Sequence, residues 1–426
     1  MRTIAFLLSL VMILLIPGEN VLVLPGLGNV SRVVGMGAAA FWLFTILVTG
    51  KIRKITPFHI LVFLFFLWNA ISFLWTIDPD RTLTQTLTYA QMAIFALLLW
   101  DLYTTPTAIK AGLQAYVLGL TVPIVSTITQ FITNLNTDYA LYGRYSATGT
   151  NANTTGIVLA VGLPLAWYLA TSPGEGKLAQ LLRLINYAYL PAIMFTIILT
   201  ATRFAIIMSL PVFLFGLGTF TRLKPSVRIL MFILLTAALF FLSSLVPTAS
   251  VQRLGTIDDE IQGGDLNERT ELWGRGIDIW LEHPVLGIGS AGFNTAVEPI
   301  YGRPRSVHNS FIAVLTELGV IGFGLFGLIL VTAAFQAWRH STVFDTLFWL
   351  TVLITWGLGN FALTWTYSKP TWLLLTLLAA SAALSPQLKH PDSMARSRVA
   401  IQPRYRQHFP DPLEPVKPGS GYSPTS

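Results

Sequence analysis

Five polar residues of this sequence could together carry proton transfer and anion binding. His308 and Asn309 stand at the start of a long apolar run. An imidazole with its ordinary pKa of about 6.5 can accept a proton at neutral pH. Arg203 lies in a tight turn between two apolar runs, Arg144 begins a polar segment that leads into an apolar run, and Arg269 lies in the long hydrophilic loop four residues before Trp273. Because guanidinium groups bind phosphate through paired N–H donors, these residues predict a phosphate-binding site that contains a general base.

Each residue also has a purely structural interpretation. An arginine on an apolar face needs an anion, and for Arg269 a carboxylate such as Glu268 or Asp258 would serve as well as a phosphate. His308 could be an interfacial polar residue that ends a loop. Arg203 sits in a tight turn between two apolar runs, where it could simply anchor the turn.

Arg269 opens a segment with helical periodicity. Apolar residues recur at nearly helical spacing and form a predicted inward stripe: Leu272, Trp273, Ile277, Trp280 and Leu281. Asp265 or Asn267 could cap this helix, and Pro284 should end it. Gly287 and Gly289 then predict a tight turn with a structural role. We expect Arg269 to share the inward stripe because it lies one turn before Trp273.

Glu317 lies inside the apolar run that follows His308. It comes nine residues later, about half a helical turn out of phase at 100° per residue. We therefore expect it to face a different neighbour and to contribute to helix packing.

The elements that position these residues must be membrane helices. The chain has 426 residues, of which 53% are hydrophobic and 11% are charged, whereas a soluble domain carries about 25% charged residues. Cysteine is absent, and the six histidines show no His-x-x-x-His spacing, so we expect no metal site. The net charge of +7 fits membrane orientation rather than nucleic-acid binding.

Twelve apolar segments are long enough to be candidate spans, each of about 20 residues. They lie near 3–23, 33–49, 57–75, 84–103, 107–134, 154–172, 185–201, 204–221, 226–247, 307–337, 343–362 and 368–386. We interpret the first as a retained helix, because no small-residue cleavage site follows it. The predicted fold is an all-α integral membrane protein: nine helices in 1–247, a loop in 248–306, three helices in 307–386 and a disordered tail in 387–426.

The basic residues predict the orientation of these spans. With the N-terminus in the cytoplasm, 17 of the 27 Lys and Arg residues fall on the cytoplasmic side. Both termini are then cytoplasmic, and the long loop faces the periplasm or its equivalent. Nine of the 20 acidic residues lie in that loop.

The order of the motifs resembles the O-antigen ligase and polymerase superfamily of bacterial envelope proteins. The matching pieces are Arg144 to Asn153, Thr200-Ala201-Thr202-Arg203, Arg269-x-x-x-Trp273, His283 to Gly289, His308-Asn309 and Glu317 to Gly322. Thr202 stands where the family usually has serine before the arginine.

The resemblance implies a GT-C-like glycosyltransferase of the inner membrane that needs no cofactor, metal or nucleotide sugar. Its donor would be a glycan on polyprenyl diphosphate. Its acceptor would be lipid A–core for a ligase, or a second carrier-linked glycan for a polymerase. The resemblance implies His308 as the general base with Asn309 orienting it. Arg203, Arg269 and Arg144 would bind the diphosphate.

A transporter is the alternative from a different class, since twelve spans is a common count for transporters. Coupled transporters normally carry acidic residues near the middle of the membrane. Here Glu317 is almost alone in that position, and the polar chemistry lies at the rim. The distribution therefore favours an enzyme that works at the membrane surface.

Overall fold

The computed structural model describes residues 1–26, 28–133, 143–223, 225–229, 248–255 and 269–389. Residues Met1–Pro386 form one compact unit. The described part is almost wholly helical, which confirms the prediction of an all-α integral membrane protein.

Fifteen described helices build this unit. They are α1 (Arg2–Leu15), α2 (Val30–Thr49), α3 (Pro57–Ile71), α4 (Pro79–Leu102), α5 (Pro106–Gly119), α6 (Thr121–Ile132), α7 (Ala152–Thr171), α8 (Lys177–Thr200), α9 (Arg203–Thr219), α10 (Thr248–Gly255), α11 (Arg269–Glu282), α12 (Phe293–Tyr301), α13 (Ser310–Trp338), α14 (Val343–Asn360) and α15 (Lys369–Lys389). A short antiparallel pair, β1 (Val23–Leu24) and β2 (Gly28–Asn29), joins α1 to α2.

Nine of the described helical segments are long and apolar enough to cross a membrane. Two shorter apolar segments, Arg2–Gly18 and Lys369–Ser385, occupy the first and last predicted spans. Helices α5 and α6 run on from each other as one segment, Pro106–Ile132. The predicted span 226–247 and the tail 390–426 lie largely or wholly outside the described residues.

Side-chain caps fix where several helices begin. Asp78 accepts a hydrogen bond from the Arg81 N–H (3.0 Å) at the start of α4. Asn151 accepts one from the Thr154 N–H (2.8 Å) at the start of α7. Each cap satisfies an N–H that has no partner within its helix. These polar residues therefore belong at the helix ends, where the chain re-enters the bundle.

One end of the bundle is held by a buried carboxylate, that of Asp101 at the end of α4. Its Oδ1 accepts from the Arg53 N–H (2.7 Å), and its Oδ2 accepts from Trp42 Nε1 (3.1 Å). Arg2 forms an ion pair with the same carboxylate at 3.2 Å. These partners lie at the start of α1, on α2 and before α3, so one side chain ties three neighbouring segments to α4.

The opposite end carries the predicted functional residues, and we call it the His308 end. It holds the starts of α4, α7, α9, α13 and α15, and the ends of α1, α3, α8 and α14. Helix α13 packs against α3, α11 and α14, and α7 packs against α8, α9 and α14. The bundle thus presents both groups of motif residues at one end.

Candidate functional site

Helix α11 is the amphipathic helix that the sequence predicted, and it lies against the first turns of α13. A small core of its own holds it there: Leu272, Phe293, Val297, Val307 and Ala313. Thr316 donates a hydrogen bond to the Gly276 carbonyl (2.9 Å). A Cβ on Gly276 would lie 2.5 Å from Ile312 Cγ2. This glycine therefore lets the two helices approach closely, which fixes the position of Arg269.

The predicted apolar stripe was correct only in part. Leu272 is buried, as predicted, whereas Leu281 is 63% exposed. The contact at Gly276 turns the helix so that Ile279, rather than Leu281, packs against the small core. The spacing of the large apolar residues did not predict this rotation of α11, because the closest contact with α13 is made by Gly276, which has no side chain.

The segment after α11 inserts into a break in α13. Gly319 has φ 65° and ψ −169°, which interrupts the helix. The freed carbonyls of Thr316 and Glu317 accept hydrogen bonds from the N–H groups of Ile288 (3.1 Å) and Gly289 (2.9 Å). The Val320 N–H donates in return to the Pro284 carbonyl (2.9 Å). The predicted tight turn is thus a backbone plug that satisfies groups which an apolar medium would otherwise leave unpaired.

Glu317 fastens this plug to the helix that follows it. Its carboxylate accepts a hydrogen bond from the Ala291 N–H (2.9 Å), just before α12 begins. The glutamate therefore positions the loop.

His308 stands in a left-handed backbone conformation, with φ 51°. Its N–H donates to Ser306 Oγ (3.4 Å), and Trp273 Nε1 of α11 donates to the carbonyl of the preceding Val307 (3.1 Å). Burial, with the nearby charges of Arg269 and Arg305, lowers the pKa of His308 to about 4. The imidazole is therefore neutral at pH 7 and able to accept a proton.

Asn309 is buried and caps α13. Its Oδ1 accepts hydrogen bonds from the N–H groups of Phe311 (2.9 Å) and Ile312 (3.1 Å). The next residue, Ser310, donates to Asn360 Oδ1 at the end of α14 (2.6 Å). Asn309 thus fixes the backbone from which the His308 side chain projects.

Arg269 lies on the inward side of α11, and burial lowers the pKa of its guanidinium. The predicted carboxylate partners Glu268 and Asp258 lie outside the described residues. Within the described part of the chain, no carboxylate forms an ion pair with Arg269. Its nearby charge lowers the pKa of His308, so the two side chains share one electrostatic environment.

Arg144 and the turn that carries Arg203 lie at a second corner of the same end. Arg144 is buried; its Nε donates to the Thr200 carbonyl (3.0 Å), and its Nη2 donates to Asn153 Oδ1 (2.7 Å). Thr200 ends α8 and Arg203 begins α9, with Ala201 between them at φ 46°. The Arg144 guanidinium therefore braces the turn that presents Arg203.

Helix α14 connects the two corners. A Cβ on Gly359 would lie 3.0 Å from Met208 Cε on α9, and the next residue, Asn360, accepts the hydrogen bond from Ser310. Arg203 lies five residues before Met208, about 7.5 Å further along the helix axis. The backbones of Arg203 and His308 therefore both lie further toward the His308 end than Asn360, the last residue of α14.

The non-glycine residues with positive φ in the described part of the chain are three: Ala201, Ala291 and His308. Ala201 lies in the turn before Arg203, and Ala291 donates its N–H to the Glu317 carboxylate. His308 is the candidate base itself. Such conformations cost about 1–3 kcal/mol each and concentrate at functional sites. All three occur at the His308 end.

Sequence reasoning missed one cation of this site, Arg305. Its guanidinium lies 5.0 Å from the centre of the Tyr301 ring at the end of α12, and its charge contributes to the lowered pKa of His308. It lies three residues before the histidine. Its closeness to His308 in the sequence could have indicated a role in the site. The long loop contains several arginines, however, and the sequence alone does not distinguish Arg305 from the others.

The fold and the site define an integral membrane protein that gathers cations around a neutral histidine at one end of a helical bundle. Residues 188–327, which include Arg203, Arg269 and His308, match the O-antigen ligase family. The chain is 28% identical over 309 residues to the exopolysaccharide production protein ExoQ of Rhizobium meliloti (strain 1021). That match covers 65% of this chain and 65% of the relative's length. Both matches support the resemblance to the O-antigen ligase and polymerase superfamily.

Proposed function

We propose that the chain is a GT-C-type glycosyltransferase of the bacterial inner membrane. It transfers a glycan from polyprenyl diphosphate to an acceptor hydroxyl, without a metal, on the periplasmic side. The observation that carries this proposal is the neutral His308 held beside Arg269 and Arg305. A base next to guanidinium groups suits a reaction that removes a proton and releases a diphosphate.

In the proposed reaction, the acceptor oxygen attacks the anomeric carbon of the donor glycan. The bond from that carbon to the diphosphate oxygen breaks, and the diphosphate leaves with the electron pair. His308 takes the proton of the acceptor hydroxyl. Arg269, Arg305 and Arg203 stabilise the charge that develops on the leaving group, and Arg144 contributes by holding the turn that carries Arg203.

Donor binding would also tune the base. The guanidinium charges lower the pKa of His308 in the free protein. A bound diphosphate would neutralise part of those charges, and an anion nearby raises the pKa of an imidazole. His308 would thus become a stronger base when the donor is in place, which couples donor binding to proton removal.

Two acceptors fit this chemistry. The family match supports a ligase, which transfers finished glycan to lipid A–core in lipopolysaccharide biosynthesis. The similarity to an exopolysaccharide production protein supports a polymerase, which extends a second carrier-linked glycan.

Reconstitution with each acceptor separates these candidates. The purified chain in liposomes would receive a polyprenyl-diphosphate glycan, with lipid A–core in one reaction and a second carrier-linked glycan in the other. Glycan on lipid A–core identifies a ligase, and a longer carrier-linked product identifies a polymerase. If folded protein forms neither product, the transferase proposal fails and the transporter alternative gains support.

A further inference from the structure

A cleft with mostly apolar walls and several polar groups opens at the His308 end, between the end of α1, the start of α7 and the segment before α15. Its polar wall residues are Glu19, Asn20, Thr150, Thr154, Thr155 and Ser368, with Trp365 among the apolar ones. A concave site with apolar walls and a few converging polar groups is typical of small-molecule binding. No residue of the predicted site lines this cleft.

A half-buried ion pair borders the cleft. Lys369 Nζ contacts Glu19 Oε2, and Ser31 Oγ donates to the same oxygen (3.0 Å). The side chains of Lys369 and Glu19 are only 16% and 23% exposed. Charged residues are scarce in this chain, and an ionisable pair inside a membrane bundle is a functional candidate because keeping it there is costly.

The cleft lies between the two corners of the candidate site. On one side, Thr155 Oγ1 accepts a hydrogen bond from the Ala147 N–H (3.2 Å), in the segment that begins with Arg144. On the other side, the Trp365 N–H donates to Ser310 Oγ (2.8 Å), two residues after His308. A ligand in the cleft would therefore be close to both the base and the turn that carries Arg203.

We propose that this cleft binds a sugar ring of the acceptor glycan, an assignment that rests on the proposed glycosyl transfer. The lone carboxylate of the wall is already paired with Lys369, so the cleft offers no excess positive charge to a diphosphate. Its carboxylate, amide and hydroxyl groups disfavour a lipid tail. The same groups match the hydroxyls of a neutral sugar, and much of the volume is open to the outside, as a growing glycan requires.

Thr154→Leu and Glu19→Gln test this site, with Thr84→Leu as the control. Thr154 lines the cleft, so a leucine at this position would occupy part of it. Thr84 is exposed on α4 at the same end of the bundle, so the same substitution there leaves the cleft unchanged. We expect Thr154→Leu to raise the KM for the acceptor glycan by about tenfold because leucine occupies the cleft, and Glu19→Gln to raise it by a similar factor because one charge-assisted hydrogen bond is lost. The KM for the donor should stay constant, and the control should behave as the unchanged protein. A rise in the donor KM instead, or no change in either constant, would overturn the assignment.

A binding measurement separates this inference from the proposed function. The probe is the free repeat-unit oligosaccharide, released by mild acid from the surface polysaccharide of the source organism. Hydrogen exchange should slow in residues 16–21 and 147–155 of the unchanged chain at saturating probe, and Thr154→Leu should abolish the effect. Protection without any transfer activity would retain the sugar site and reject the transferase. Transfer activity without protection would reject the sugar site alone.

Discussion

Replacing Gly319 by alanine should dislodge the plug that inserts into α13. The residue has φ 65° and ψ −169°, a backbone region that is essentially restricted to glycine and costs about 1–3 kcal/mol for other residues. A Cβ there would lie 2.1 Å from the Val285 carbonyl oxygen. This neighbour is backbone, so the contact can be relieved only by moving the chain.

The movement would break the hydrogen bond from the Val320 N–H to the Pro284 carbonyl. Leaving a buried backbone group unpaired costs about 1–3 kcal/mol. The two terms together predict a loss of about 2–6 kcal/mol, comparable with the whole stability of many domains. Because the plug follows α11 directly, Arg269 should also lose its position beside His308.

Gly324→Ala is the matched control for Gly319→Ala. Gly324 lies in the same helix, and no heavy atom lies within 4 Å of the Cβ that alanine would add. Alanine is favoured over glycine inside a helix by about 0.5–1 kcal/mol, so this variant should be as stable as the unchanged chain or slightly more so.

Thermal unfolding in detergent, followed by tryptophan fluorescence, compares the two variants, and limited proteolysis of residues 283–292 reports whether the plug is released. We expect a lower midpoint and faster cleavage for Gly319→Ala only. If Gly319→Ala and Gly324→Ala unfold at the same temperature and resist proteolysis equally, the plug does not stabilise the bundle through Gly319.

Four further predictions concern buried polar groups and charge. Glu317→Leu should lower stability by about 1–3 kcal/mol in thermal unfolding, because it leaves the Ala291 N–H without its acceptor; an unchanged unfolding midpoint would show that Glu317 does not hold the plug. Asp101→Asn should cost about 1–3 kcal/mol, because the single amide oxygen of asparagine leaves the Arg53 N–H or Trp42 Nε1 without an acceptor, whereas the half-exposed Arg2 adds little; Asp80→Asn on the exposed first turn of α4 is the control, and equal effects would contradict the assignment. The folded pKa of His308 is depressed to about 4, so falling pH should destabilise the fold progressively from about 6.5 to 4 while the unfolded chain takes up the proton first. Arg269→Gln should move the acid limb of the transfer rate upwards from pH 4, because it removes one of the charges that depress this pKa; a limb that stays in place would show that the charge of Arg269 does not contribute.

The sequence predicted the membrane class and the ends of the bundle because both depend on residue type. Long apolar runs separated by Lys and Arg define the spans, and Pro284 marks the end of a helix by local chemistry. The same local logic predicted the helix that begins at Arg269. It also predicted the tight turn at Gly287 and Gly289.

The long-range contacts were not predictable in this way. Nothing near Gly319 indicates that a segment 30 residues earlier fills the break it creates, because the pairing depends on how α3, α11 and α13 pack. Arg305 was missed because the long loop contains several arginines, and only the fold shows which of them lies near His308. Glu19 and Lys369 are 350 residues apart, so their pairing and the cleft beside it appear only once α1 and α15 are neighbours.

The central claim is that His308 removes the acceptor proton during glycosyl transfer. Single-turnover transfer from a fluorescent carrier-linked glycan, measured for the unchanged chain and for His308→Gln, tests it most directly when donor binding is recorded in the same liposomes. We predict that His308→Gln binds the donor with similar affinity and transfers at least about a hundredfold more slowly, the usual contribution of a general base. Transfer at the unchanged rate by folded His308→Gln protein would contradict the claim.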